Sequence, residues 1–162
     1  MMVRPVTIAE LDAAIELGRS NFEESRFRGM PFDEAKVRQS VARMLNSPRT
    51  DHFACGAFDS TGKLVGYMVG KIEQYFFCDY TVATSVFLFV DPKARGGLAA
   101  LKLILAFRAW AKNRGAKEMY IGVAGGVLVE RTGRFLQRLG LKFTGGNYSM
   151  WLDGQPRGGH GE

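Results

Sequence analysis

Between Val86 and Gly115 the chain reads V-F-L-F-V-D-P-K-A-R-G-G-L-A-A-L-K-L-I-L-A-F-R-A-W-A-K-N-R-G. Five consecutive apolar residues, Val86 to Val90, leave no polar position for a wet face, so they predict a central strand buried on both sides. Asp91 and Pro92 end it. Arg95-Gly96-Gly97 then leads into a helical pattern from Leu98 to Lys112, with polar positions confined to Lys102, Arg108 and Lys112. A strand, a glycine turn and a helix N-terminus in that order make an anion site. Glycines let the backbone approach closely, and the N–H groups of a first helical turn have no partner inside the helix. The ligand implied is a phosphate.

Upstream, Val3 to Val6 is short and β-branched, as a first strand would be. Thr7-Ile8-Ala9-Glu10 is a capping box with Val6 and Leu11 placed for a hydrophobic staple, so a helix is expected from Ile8. Its pattern fades after Phe22 into Glu23 to Pro31, a mixed-charge loop with Gly and Pro. Asp33 precedes a second amphipathic segment, carrying Val37, Val41, Met44 and Leu45 and ending at Asn46-Ser47-Pro48. His52 to Phe58 and Leu64 to Gln74 flank the polar turn Asp59 to Lys63 and predict an antiparallel hairpin.

Downstream, Tyr75 to Tyr80 reads either as a frayed continuation of the strand, the favoured reading, or as an aromatic wall beside a substrate pocket. Thr81 to Val90 is the central strand, and Lys117 to Val123 is expected beside it as a parallel central neighbour. Gly125-Gly126 breaks that strand. Val129 to Leu139 is a last helix stopped by Gly140. Leu141 to Phe143 and Tyr148 to Leu152 are expected to pair across Gly145-Gly146-Asn147. Residues 1–153 are read as one domain, since 162 residues, 46% of them hydrophobic, suffice for a full core. Residues 154–162 are read as a mobile tail.

The central motif resembles that of the GCN5-related N-acetyltransferases (GNAT), in which a strand ending V-x-P is followed by x-x-R-G-x-G-x-G or -A. Val90-Asp91-Pro92-Lys93-Ala94-Arg95-Gly96 fits that pattern. Leu98 and Ala100 stand where the family has its second and third glycines, and R-G-G-x-A-A resembles a divergent branch often carried by bacteriophages, acting in a bacterial host. The resemblance implies an α/β fold with a mixed sheet in the order β-α-α-β-β-β-α-β-α-β-β, acetyl-coenzyme A as co-substrate, an amine acceptor and no metal. It also implies that the backbone of Leu88, Phe89 and Val90 holds the pantetheine arm. Arg95, Gly96, Gly97, Leu98, Ala99 and Ala100 would meet the pyrophosphate, with Arg131, and by the same logic Arg134, near the phosphates. The loops Glu23 to Pro31 and Tyr75 to Tyr80 are expected to frame the acceptor site.

Catalytic residues are harder to assign. In the family motif N-x-x-A-x-x-x-Y-x-x-x-G-F, aligned on Gly140, this chain has Val129, Thr132, Leu136 and Leu141 at the four other places, so the usual tyrosine acid is absent. Tyr148 and Tyr120 are the substitutes, each also readable as a packing residue. Glu73 and Asp79 are the candidate bases, against a plain reading as solvated charges; His52 is read as structural or exposed. Ser85 and Cys78 lack a relay that would make them nucleophiles. Cys55 and Cys78 have no metal-ligand spacing and are expected to be buried free thiols. No apolar run spans a bilayer and Met1 to Pro5 has no secretory h-region, so a cytoplasmic, membrane-free protein is expected.

The net charge of +6 suits a polyanionic coenzyme as well as a nucleic acid. Two alternatives therefore stand beside the transferase: a catalytically degenerate module that keeps the fold and the coenzyme, and a basic nucleic-acid binder. A homodimer is left open.

Overall fold

A computed structural model describes residues 1–47, 52–152 and 154. They fall into two compact units, Met1–Ser20 with Asp33–Gly122, and Asn21–Phe32 with the chain from Val123 onward. The first contains a five-stranded sheet in the order β1-β2-β3-β4-β5. Its strands are β1 (Met2–Pro5), β2 (His52–Phe58), β3 (Leu64–Gln74), β4 (Thr81–Val90) and β5 (Glu118–Tyr120). The first four run antiparallel to their neighbours and β5 runs parallel to β4. Helices α1 (Leu11–Glu24) and α2 (Glu34–Asn46) precede β2, α3 (Ala99–Asn113) joins β4 to β5, and α4 (Val129–Arg138) follows in the second unit.

The ends of these elements follow from their sequence. A 3-10 turn, Ile8–Glu10, leads into α1. There the Glu10 carboxylate accepts the Thr7 N–H at 2.8 Å and the Thr7 hydroxyl at 2.6 Å, and pairs with Arg4 at 2.8 Å. The Asp33 side chain accepts the Lys36 N–H at 2.9 Å and so caps α2. Asp59 closes the β2–β3 turn in the same manner, taking the N–H groups of Thr61 and Lys63 on one oxygen, and the Thr61 hydroxyl bond leads the interactions that lower its pKa.

Two glycines on β3 set the seat of α3. A Cβ at Gly70 would lie 2.4 Å from Phe107 Cε2, and one at Gly66 would lie 3.5 Å from Leu103 Cδ1. Leu103 and Phe107, one turn apart on α3, are fully buried at these positions. Phe53 on β2 adds its ring at 5.3 Å from Phe107, and Trp110 stacks on Phe107 at 5.7 Å. A second apolar cluster joins Val6, Leu17, Phe58, Leu64 and Phe89, with Ala14, Leu45 and Tyr67 against it.

Three expectations are corrected. Val86 and Phe87 are not buried on both sides but 46% and 53% exposed, because the β3–β4 register slips at this point and pairing with β5 stops short of them. The strand expected over Lys117 to Val123 covers Glu118–Tyr120 alone and is an edge strand, although it is the parallel neighbour of β4. Residues 141–152 form no strand, so nothing there continues the sheet. Phe143, Tyr148, Met150 and Leu152 all stand exposed, and a stretch with no buried face has little to stabilise it as a strand. The element order is as expected through α4. The expected tail, apart from Gly154, lies outside the described residues, as does Pro48 at the end of α2.

Gly70→Ala should lower stability by about 1–3 kcal/mol through overpacking against Phe107. Gly18→Ala, in α1 with nothing near the added methyl, should raise it by about 0.5–1 kcal/mol. Urea unfolding of both variants checks the opposite signs. Hydrogen bonds from Arg4 and then Thr7 lower the pKa of Glu10 to about 2. The stability this adds is complete above the ordinary carboxylate value near 4.5 and disappears as the pH falls through about 2. Glu10→Gln should therefore cost about 1–2 kcal/mol at pH 7, discounted because the pair is partly solvated. The gap from wild type should narrow steadily in acid unfolding series between pH 4.5 and about pH 2.

Candidate active site

The parallel ladder between β4 and β5 has three rungs, Val82↔Glu118, Ala83↔Met119 and Thr84↔Tyr120. Past the last rung the strands part. The Gly122 N–H turns to the Ser85 hydroxyl at 3.2 Å instead of to a backbone carbonyl, which ends the pairing. Among the described residues no strand pairs with Ser85 to Val90 on the β5 side, while β3 covers the other edge. One residue of β4 is also extra to the register: Phe87 pairs with Val69 and Ser85 with Gly70, so Val86 is the bulged position. The result is a fork whose one tine, including Leu88, Phe89 and Val90, offers strand backbone without a strand partner.

At the tip of that tine the chain makes a 3-10 turn, Pro92–Ala94, capped by the Asp91 side chain on the Lys93 N–H at 2.9 Å. Gly96, at φ 86°, occupies the left-handed region that a side chain disfavours. Arg95 folds back. Its Nε donates to the Val90 carbonyl at 2.9 Å and its guanidinium lies 5.4 Å from the centre of the Phe89 ring. Its own N–H donates to the Pro92 carbonyl at 3.3 Å, so the backbone donors of the glycine turn begin at Gly96. The Val90 carbonyl keeps a second lone pair. Leu98 caps α3 without a side-chain bond, and the first turn of α3, with Ala99 and Ala100, carries no acid. The N-terminal amides are therefore neither capped by the Leu98 side chain nor opposed by a first-turn carboxylate.

The candidate catalytic residues are dispersed. Glu73, near the end of β3, pairs with Lys71 at 2.7 Å. The Lys71 bond and then one from Thr84 hold its carboxyl below the ordinary range. Asp79 sits in the β3–β4 loop and accepts from Gln74 at 3.1 Å. Tyr148 is 100% exposed in the irregular stretch after α4, and Arg131 is exposed on α4 itself. Leu136, at the place of the missing tyrosine, is buried. Tyr120 stands on the last rung of the fork, half-exposed, with no hydrogen bond to its hydroxyl among the described residues. Position at the end of a ladder has no sequence signature, so its location emerges only from the fold.

Tyr75 to Tyr80 does not continue β3 as a frayed strand. It is a closed hairpin loop, with the Tyr75 N–H on the Tyr80 carbonyl at 3.0 Å. Tyr75 stacks on Phe77 and gives its hydroxyl to Glu118, a bond that raises its pKa, while Phe76 is 99% exposed. Cys78, in this loop, is half-buried rather than buried; Cys55, on β2, is buried, and neither forms a disulfide.

In the second unit, the loop after α1 is organised by Ser25. Its buried hydroxyl donates to the Phe22 carbonyl at 2.8 Å and accepts the Phe27 N–H at 3.2 Å. Phe22 and Phe32, 5.1 Å apart, close the loop at its base.

Several known structures share this fold. The BH1408 protein from Bacillus halodurans, in a mutant form, superposes with a TM-score of 0.78 at 16% identity, over 94% of this chain and 99% of that one. A Trypanosoma brucei acetyltransferase gives 0.70 at 18% identity, over 93% and 99%. AAC(6′)-Iy, in complex with the bisubstrate analog CoA-S-monomethyl-acetylneamine, gives 0.68 at 19% identity, over 93% and 96%. At these identities the likeness is one of fold. No curated protein matches the sequence. Residues 13–140, most of the chain, match the acetyltransferase (GNAT) family, and the chain belongs to that family.

Proposed function

We propose that the chain moves an acetyl group from acetyl-coenzyme A to an amine acceptor by direct attack of the amine nitrogen on the thioester carbonyl. The observation that supports this most is the β4–β5 fork ending in a glycine turn at the N-terminus of α3. Open strand backbone suits the two amides of a pantetheine arm, and amides of a helical first turn suit a pyrophosphate. In this reading Leu88, Phe89 and Val90 bond the arm through their backbone. Gly96, Gly97, Leu98, Ala99 and Ala100 supply the phosphate donors. Arg95 acts through its side chain, which braces the turn against Val90.

The reaction then depends on holding the amine against the thioester and on backbone N–H groups of β4 receiving the negative charge that grows on the carbonyl oxygen. The chain's own acid–base residues play a smaller part. Glu73, held low by Lys71, is a weak acceptor of the ammonium proton near neutrality. Water, or one replaceable carboxylate among Glu73 and Asp79, carries that proton away, and the leaving thiolate takes its proton from water. The setting proposed is the cytoplasm.

Release of free thiol from acetyl-coenzyme A across a panel of amines tests the reading. Coenzyme binding without turnover would replace it with the degenerate module, and steep salt-dependent DNA or RNA affinity with a nucleic-acid binder. Gly97→Pro removes one phosphate donor and should weaken coenzyme binding at least about tenfold in calorimetry, a charge-assisted bond being worth roughly 1.5–3 kcal/mol. Unchanged affinity in the folded variant would remove the phosphate assignment. Tyr148→Phe, Glu73→Gln and Asp79→Asn should each lower turnover less than about tenfold, well short of the roughly 10² to 10⁴ of a dedicated acid or base. A loss of several hundredfold in any one of them, with coenzyme still bound, would identify that residue as the missing proton carrier.

A further inference from the structure

Ser85 and Gly122 meet where the fork opens, and both lie in the first unit. The Gly122 N–H donates to the Ser85 Oγ at 3.2 Å. Strand side chains stand out of the plane of a sheet, whereas ladder carbonyls lie in it. An N–H that reaches a side-chain oxygen has therefore left that plane, so the exit of β5 is drawn to one face of β4. On its other edge Ser85 pairs with Gly70, and Val86 follows as the bulge. Gly70 is in turn one of the glycines that seat Phe107. The hydroxyl thus projects from the last regular position of β4 before the bulge, a position held by β3 and backed by α3. Gly122 is exposed, so water serves its N–H equally well, and the bond decides direction more than it adds stability.

We propose that Ser85 is a positioning residue for the coenzyme. Its hydroxyl holds the exit of β5 off the sheet plane and so keeps the following edge of β4 free for the pantetheine amides. The competing state is the ordinary tendency of neighbouring strands to go on pairing. Without the hydroxyl, the Gly122 N–H is released to a backbone carbonyl of β4. A fourth rung added to the present three then narrows the fork from its closed end. Coenzyme binds only the molecules in which the fork is open, and its apparent affinity falls with their fraction. This rests on the coenzyme assignment of the fork in the transferase reading, and not on turnover.

The test uses the full chain as wild type, Ser85→Ala, Ser85→Val and Ser85→Thr. The last two variants share a branched side chain that suits a strand and differ in the hydroxyl, which separates loss of the bond from a change of packing. Calorimetry gives the affinity for coenzyme A, and residue-resolved hydrogen exchange follows the Gly122 amide without ligand. Ser85→Ala and Ser85→Val should weaken coenzyme binding by about three- to tenfold, the scale of one net hydrogen bond. Ser85→Thr should stay within about twofold of wild type. Exchange at Gly122 should slow in Ser85→Ala and Ser85→Val, because a ladder bond protects an amide better than a bond to an exposed side chain. Simple loss of the bond would quicken it. Unchanged affinity in the folded Ser85→Ala and Ser85→Val variants, Ser85→Thr as weak as Ser85→Val, or quicker exchange at Gly122 would each overturn the role of Ser85 and leave the coenzyme assignment standing. Wild type that binds no coenzyme A would overturn that assignment, and the role of Ser85 with it.

Discussion

The absence of two side chains on β3 governs much of the first unit. Gly66 and Gly70 let α3 settle against the sheet with Leu103 and Phe107 in the spaces that methyl groups would fill. A helix seated by its middle has its ends placed as well. The N-terminus of α3 follows β4 by the turn from Asp91 to Leu98, and its C-terminus returns the chain to β5 after Gly115, at φ 75°. Since close-packed interiors transmit displacement rather than absorb it, the seat of Phe107 and the glycine turn before α3 belong to one mechanical unit.

The fork answers a different constraint. A sheet stabilises itself by pairing every edge it can, and an open stretch of strand is ordinarily a liability. Here the β4–β5 pairing ends at a small local device, the Ser85 hydroxyl that takes the Gly122 N–H, next to the bulge at Val86 in the β3–β4 ladder. Arg95 then covers part of the open stretch through the Val90 carbonyl. The chain thus leaves strand backbone available in one place and braces it where β4 becomes the glycine turn.

Legibility in the sequence followed the range of the interaction responsible. β2, β3 and β4 have the bounds expected of them, since apolar runs and the polar turn at Asp59 to Lys63 are local signals. The capping carboxylates of Glu10 and Asp33 are local too. The glycine turn and the start of α3 were legible for the same reason, and they are the clearest part of the candidate site. The exposure of Val86 and Phe87 was not, because an apolar run does not tell where a neighbouring strand will leave it. The last two strands failed for want of a buried face, a tertiary property. Ser85 was unreadable as the end of a ladder because the N–H it accepts lies 37 residues away. Tyr120 acquires its interest only from standing at the end of a ladder.

The two thiols carry one further consequence. Cys55 is sealed within β2 while Cys78 lies half-buried in the hairpin loop between Tyr75 and Tyr80. An alkylating dye applied to the native protein therefore has a single ready target, at the tip of the β3–β4 hairpin, and reaches the other thiol only when the sheet opens. The wild-type sequence thus contains both a site for a fluorescent reporter beside the exposed aromatic rings and an internal clock for the opening of its sheet.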